Sequence, residues 1–166
     1  MGHMIQGCIG NLAIINKICS LIEESQLKVE ELPQQYYLLY ITDSLSDYIQ
    51  TGSETVNEFE PFEYLSFSMK AFLESVSLAG DFVYLETDYF GGLGSQTAGV
   101  FRKGKLNTVS VSNGTNIDVS IPYPERLFDE PINKSLREIG VICKQSLDEF
   151  DTLNLSDYRH MPNNDI

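Results

Sequence analysis

Glu86 and Asp88 stand two residues apart in ETDYFGGLGSQ, residues 86–96, the first place where this chain has the residue types for chemistry. Side chains alternate between the faces of a strand, so carboxylates at i and i+2 share one face. Such a pair can exchange a proton or contribute to a hard-cation site. Without further acids at fixed spacing, it is a thin basis for either. The neighbouring Gly91, Gly92 and Gly94 invite a phosphate-binding reading, but a Walker loop needs GK[ST] and a dinucleotide fingerprint needs GxGxxG before a helix. Here the glycines lead into Ser95-Gln96 and a β-rich segment with no lysine. They are expected to serve backbone geometry in a turn between two strands. Glu86, Asp88, Tyr89, Phe90 and Gln96 are then presented on a stiff tip, a shape suited to contact with another protein.

A second cluster lies at residues 53–63, where Glu54, Glu58, Glu60 and Glu63 alternate with Phe59 and Phe62. As a partner-binding loop it offers carboxylates for steering and an aromatic anchor. The plainer alternative is an acidic loop whose phenylalanines tuck into the core, and the sequence favours neither. Met1-Gly2-His3 before Met4 reads as an expression leader. With it set aside, His160 is the only histidine. A single histidine near the end of the chain argues against a Ser-His-Asp or Cys-His arrangement and against most transition-metal chemistry. Cys8, Cys19 and Cys143 are odd in number and far apart, a pattern of free thiols in a reducing compartment. No catalytic residue is assigned, and neither a metal nor a cofactor is expected.

The charge is unevenly distributed. The chain has 24 acids against 11 Lys and Arg, a net charge of -13. Twelve of those acids fall in residues 29–101, where only Lys70 opposes them. Acidity concentrated in one stretch points to a partner of opposite sign. It suits a phosphate backbone poorly, since Lys and Arg carry that affinity. A basic protein, of which nucleases are a common kind, fits better. No apolar run reaches the length of a membrane span, and no leader of secretory type precedes the first apolar residues, so a cytoplasmic protein without direct nucleic-acid or membrane contact is expected.

The elements that must position these groups follow from period and punctuation. Residues 4–9 read as a strand, and Asn11 as the cap of a helix carrying Leu12, Ile15, Ile18, Leu21 and Ile22. Residues 35–42 read as a strand buried on both faces. Asp43 or Ser44 is expected to cap a short helix through Ile49, and Ser66 or Ser68 to start one that Gly80 stops. Strands are expected at 82–86, 97–102, 106–111 and 117–121, with tight turns at Lys103-Gly104 and Asn113-Gly114. Pro131 opens a last helix that ends at Gly140. Glu23-Glu24 and Glu30-Glu31 read as solvated helix-end charges. This order predicts one α+β domain over residues 4–166, an antiparallel sheet with helices packed mainly on one face.

The string ETDYFGG, followed by Gly94, Gln96 and Ala98, resembles small bacterial proteins of polymorphic-toxin and contact-dependent growth-inhibition loci. INKSLREIGV (132–141) and DEFDTLNLSDYRH (148–160) extend the resemblance over about the second half of the chain. It implies an immunity protein that binds a cognate toxin, a basic nuclease or RNase domain, and blocks it without catalysis. The residues expected to make that contact are Glu54, Glu58, Phe59, Glu60, Glu63, Glu86, Asp88, Tyr89, Phe90 and Gln96. The alternatives are a small enzyme or ligand-binding domain that uses Glu86 and Asp88 at the glycine turn, and an adaptor for some other basic protein.

Overall fold

In the computed structural model, residues 2–23, 27–50, 59–90, 93–114 and 118–162 are described. Among these residues, six strands form one sheet in which every neighbouring pair is antiparallel: β1 (His3–Asn11), β2 (Val29–Leu32), β3 (Tyr36–Tyr40), β4 (Phe82–Phe90), β5 (Leu93–Arg102) and β6 (Lys105–Ser112). Their spatial order is β2-β3-β1-β4-β5-β6, which places β1 and β4 at the centre. The expected α+β class with an antiparallel sheet is what the chain adopts.

Among the described residues, five α-helices pack on this sheet. On one face lie α1 (Leu12–Ser20), α2 (Asp43–Ile49) and α3 (Phe67–Val76), sharing a core with Cys8, Leu39, Phe82, Tyr84 and Phe101 from the strands. The shorter α4 (Pro131–Glu138) and α5 (Glu149–Thr152) cover the other face through Ile132, Leu136 and Leu153, against Ile5, Leu38, Val83, Leu85 and Val100. Three of the five helices thus share one face, and the C-terminal segment fills the second. Strand β3 contributes to both cores, Leu38 and Tyr40 on one side and Leu39 on the other, as expected for a strand apolar on both faces.

The helix starts are set by side-chain caps. Asn11 accepts from Ile14 N–H, Ser66 from Met69 N–H and Asp148 from Asp151 N–H. Thr42, one residue before the expected cap, does the same for α2. The hairpin turn between β5 and β6 has positive φ at both Lys103 and Gly104, the geometry of a two-residue hairpin.

Three differences from the expected elements matter. Val29–Leu32 is an edge strand, so Glu30 and Glu31 are exposed charges on a sheet edge, where they discourage pairing with another chain. Residues 118–121 form no strand. Asp118 there accepts from both the N–H (2.9 Å) and the hydroxyl (2.6 Å) of Ser120, a local bond that turns the backbone away from a ladder. Ile117 itself lies outside the described residues. Lastly, β4 and β5 run four residues further toward their connection than the sequence suggests, so Asp88, Tyr89, Phe90, Gly94, Ser95 and Gln96 belong to paired strands.

Candidate functional site

Alternation along β4 separates the expected site residues. Phe82, Tyr84, Glu86, Asp88 and Phe90 point to the α1–α3 face, while Val83, Leu85, Thr87 and Tyr89 point to the α4 face. Phe82 and Tyr84 are core. Glu86 and Asp88 do share a face, but the two carboxylates have different environments.

Glu86 is only 5% exposed. Its Oε2 accepts from Glu63 N–H at 2.7 Å, and its Oε1 accepts from Tyr64 N–H at 3.0 Å and from the Tyr84 hydroxyl at 2.7 Å. The Tyr84 oxygen in turn accepts from Gln6 Nε2 at 2.8 Å. Burial pushes the Glu86 carboxyl upward, while these three hydrogen bonds pull it back. The buried Tyr84 phenol is driven well above its ordinary range, first by burial and then by the Glu86 charge. Glu86 therefore pegs the loop at residues 59–65 to the sheet. The expectation that it projects toward a partner is corrected: a carboxylate placed under a loop whose N–H groups need acceptors is drawn inward.

What Glu86 holds in place is exposed. Glu63 and Tyr64, whose N–H groups it binds, carry exposed side chains, as do Glu60 and Pro61 before them. Facing them across the sheet, Asp88 pairs with Met4 of β1 and Ser95 of β5. A groove of about 110 Å³ runs between Pro61, Glu63 and Tyr64 on the loop and Asp88, Ser95 and Val111 on the strands. A second, of about 200 Å³, brings Asp43 and Tyr64 to Met4. The Tyr64 phenol is raised, first by burial and then by the charges of Glu63 and Asp88, which places both carboxylates around its ring. Phe90, on the same face, is 82% exposed. The result is an open end of the sheet where Met4, Tyr64, Phe90 and Val111 are exposed and Asp43, Glu63 and Asp88 supply the charge, with Glu60 exposed beside Pro61.

The other expected residues lie elsewhere. Tyr89 and Gln96 are on the α4 face. Gln96 Nε2 donates to the Tyr89 hydroxyl and to Glu130, each at 2.8 Å, and Gln96 Oε1 accepts from Ile132 N–H at 3.0 Å. No side chain of its own segment caps α4, so Gln96 satisfies an N–H of its first turn from across the sheet. Its expected place at a binding tip is corrected for that reason. Phe59 is half-buried, edge-on to Phe67 at 5.5 Å and beneath Lys70 Nζ at 4.9 Å, and Phe62 is fully buried. The loop aromatics are core residues, the plainer of the two readings. Glu54 and Glu58 lie outside the described residues, as do Gly91 and Gly92.

Gly94 shows why glycine is required near the hairpin. A Cβ there would sit 2.2 Å from the Asp88 carbonyl oxygen and 2.5 Å from Tyr89 Cα, so only a bare backbone fits against β4.

Met4, Asp43, Tyr64 and Val111 are the site residues that sequence reasoning missed. Tyr64 follows the acidic loop directly and was legible from that position. Met4 and Val111 become neighbours only through the strand register. Among the described residues, no group of three His, Cys, Asp or Glu is placed to hold a metal ion, and no helix is long and apolar enough to cross a membrane. Compared with protein-family models, curated proteins and solved structures, the chain matches none.

Proposed function

We propose that this chain is a cytoplasmic immunity protein that binds a basic toxin domain, a nuclease in the first instance, and neutralises it without covalent chemistry. The observation that carries the reading is the composition of the open sheet end. Among the described residues lining its grooves there are several carboxylates and exposed apolar side chains but no Lys, Arg or His. Aromatic and apolar groups ringed by charge of one sign are what a desolvated anchor with a steering rim needs. The resemblance of ETDYFGG to toxin-immunity loci points the same way.

In this reading Tyr64 and Phe90 enter the contact, while Asp43, Glu60, Glu63 and Asp88 meet Lys and Arg of the toxin. Those are the groups a nuclease uses to hold nucleic acid, so covering them denies it substrate. A specific complex would bury roughly 1,200–2,000 Å². The enzymatic alternative has less support, because both oxygens of Glu86 are committed to the loop and the Tyr84 phenol.

The test is protection. The C-terminal domain encoded by the gene immediately upstream is expressed in cells with and without this chain. Restored growth, together with a complex that survives gel filtration, is the expected result. Unrelieved toxicity and no complex with that domain would remove the reading.

A further inference from the structure

On the face opposite the open sheet end, α4 and α5 do not close completely over the strands. A cavity of about 390 Å³ remains between them and the outer residues of β4 and β5, bounded by Leu127, Ile132, Phe150 and Tyr89. Its size is that of pockets that enclose small organic molecules. Three carboxylates, Glu130, Asp148 and Asp151, line it, against Arg159 and the His3 imidazole among its described lining residues, His3 lying 5.5 Å from the Phe150 ring.

Glu130 and Asp148 accept hydrogen bonds from neutral donors. Asp148, 5% exposed, accepts from Asn133 Nδ2 at 3.1 Å and from Asp151 N–H at 2.8 Å. Glu130 accepts from Gln96 Nε2 and, at 3.3 Å, from the Ser112 hydroxyl. Burial pushes both carboxyl groups above their ordinary range, the sign that charge has been withdrawn from water with incomplete compensation. The Tyr89 hydroxyl accepts from Gln96 and donates to no described residue. Tyr89 and Phe150 add aromatic rings to the walls, and a cation is drawn to such ring faces.

The geometry points to a binding site for a small organic cation, an amidinium, guanidinium or alkylammonium group on a compact apolar body, taken between Glu130 and Asp148 with the body against Tyr89 and Phe150. This site is independent of the partner-binding surface, since its residues leave the other face of the sheet.

Benzamidine is the probe, and benzamide is the neutral molecule of the same shape. Titrations of the whole chain are followed by amide NMR shifts. Saturable shifts confined to residues around Tyr89, Ile132 and Phe150 are expected with benzamidine, and binding at least about ten-fold weaker with benzamide, the worth of one charge-assisted hydrogen bond. Glu130→Gln should weaken benzamidine by a similar factor. The comparison of the two probes on the unaltered protein stands whether or not that variant folds. Equal binding of the two molecules, shifts centred on Tyr64 and Asp88 instead, or no saturable shift at millimolar concentration would each overturn the proposal.

Discussion

The two faces of the β4–β5 hairpin end carry similar residue types with opposite fates. On the α4 face, Tyr89 and Gln96 are drawn into a hydrogen-bond network with Glu130 and the first turn of the helix. On the other face, Asp88, Phe90 and Ser95 meet no helix among the described residues; the loop at residues 59–65 reaches Asp88 and Ser95 through Glu63 and Tyr64. Neighbours one residue apart in sequence are thus structural on one side and available on the other. Strand periodicity shows which residues share a face, but only the helix that lands there decides whether that face is used for folding or for contact.

The largest expected effect sharpens the contrast within one face. Glu86→Ala removes the acceptor for two loop N–H groups and a buried phenol, and should lower stability by about 3 kcal/mol. Asp88→Ala, two residues further along the strand, should change it by no more than about 0.5 kcal/mol. Urea melts of the two variants decide this, and equal losses would erase the distinction between peg and rim.

Next comes the glycine that lets the strands meet. Gly94→Ala places a methyl group against the β4 backbone and should cost about 1–3 kcal/mol, as forced overpacking does. A melt identical to the parent would mean the hairpin shifts freely. Gln96→Ala should cost about 1–2 kcal/mol, the scale of a lost helix cap, with amide exchange of Ile132 rising before that of α3. If α4 keeps its protection, Gln96 is not its cap and the two faces are less different than they look.

The smallest effect is on pH dependence. Burial raises the Glu130 carboxyl above 4.5, so the folded state keeps that proton to higher pH than the unfolded chain. Its contribution to stability is fully present below the unfolded value and is lost as pH rises through the folded one. Glu86 is driven in the same direction. Glu130→Gln should therefore flatten the decline in stability as pH rises above the ordinary carboxylate range, measured by urea melts at a series of pH values. An unchanged slope would show that Glu130 titrates as a solvated group.

Much of the frame was legible. Caps at Asn11 and Ser66, Pro131 at the first position of α4, the Lys103-Gly104 turn and the doubly apolar β3 carry local signals, because each depends on residues within one or two turns. The candidate site was legible only in part. Glu63, Asp88 and Phe90 line adjoining grooves, but Glu86, Gln96 and Phe59 are spent on the fold. A carboxylate that pegs a loop and one that meets a partner have the same side chain. Only long-range register, such as Met4 opposite Asp88, and the landing of α4 on β5 tell them apart. The short β2 was missed for a related reason: two glutamates in a four-residue edge strand carry no apolar alternation.

The central claim is that the open sheet end, and not net charge alone, recruits the partner. Two double variants remove the same charge from two separate places: Glu63→Gln with Asp88→Asn at the open end, and Glu30→Gln with Glu31→Gln on the β2 edge. Stopped-flow association with the toxin domain encoded upstream, at low and at high salt, compares them directly. The account predicts that the first pair slows association by about ten-fold at low salt and much less at high salt, while the second changes it little. Equal slowing by both pairs would reduce the effect to overall charge and contradict a docking surface at Tyr64, Asp88 and Phe90.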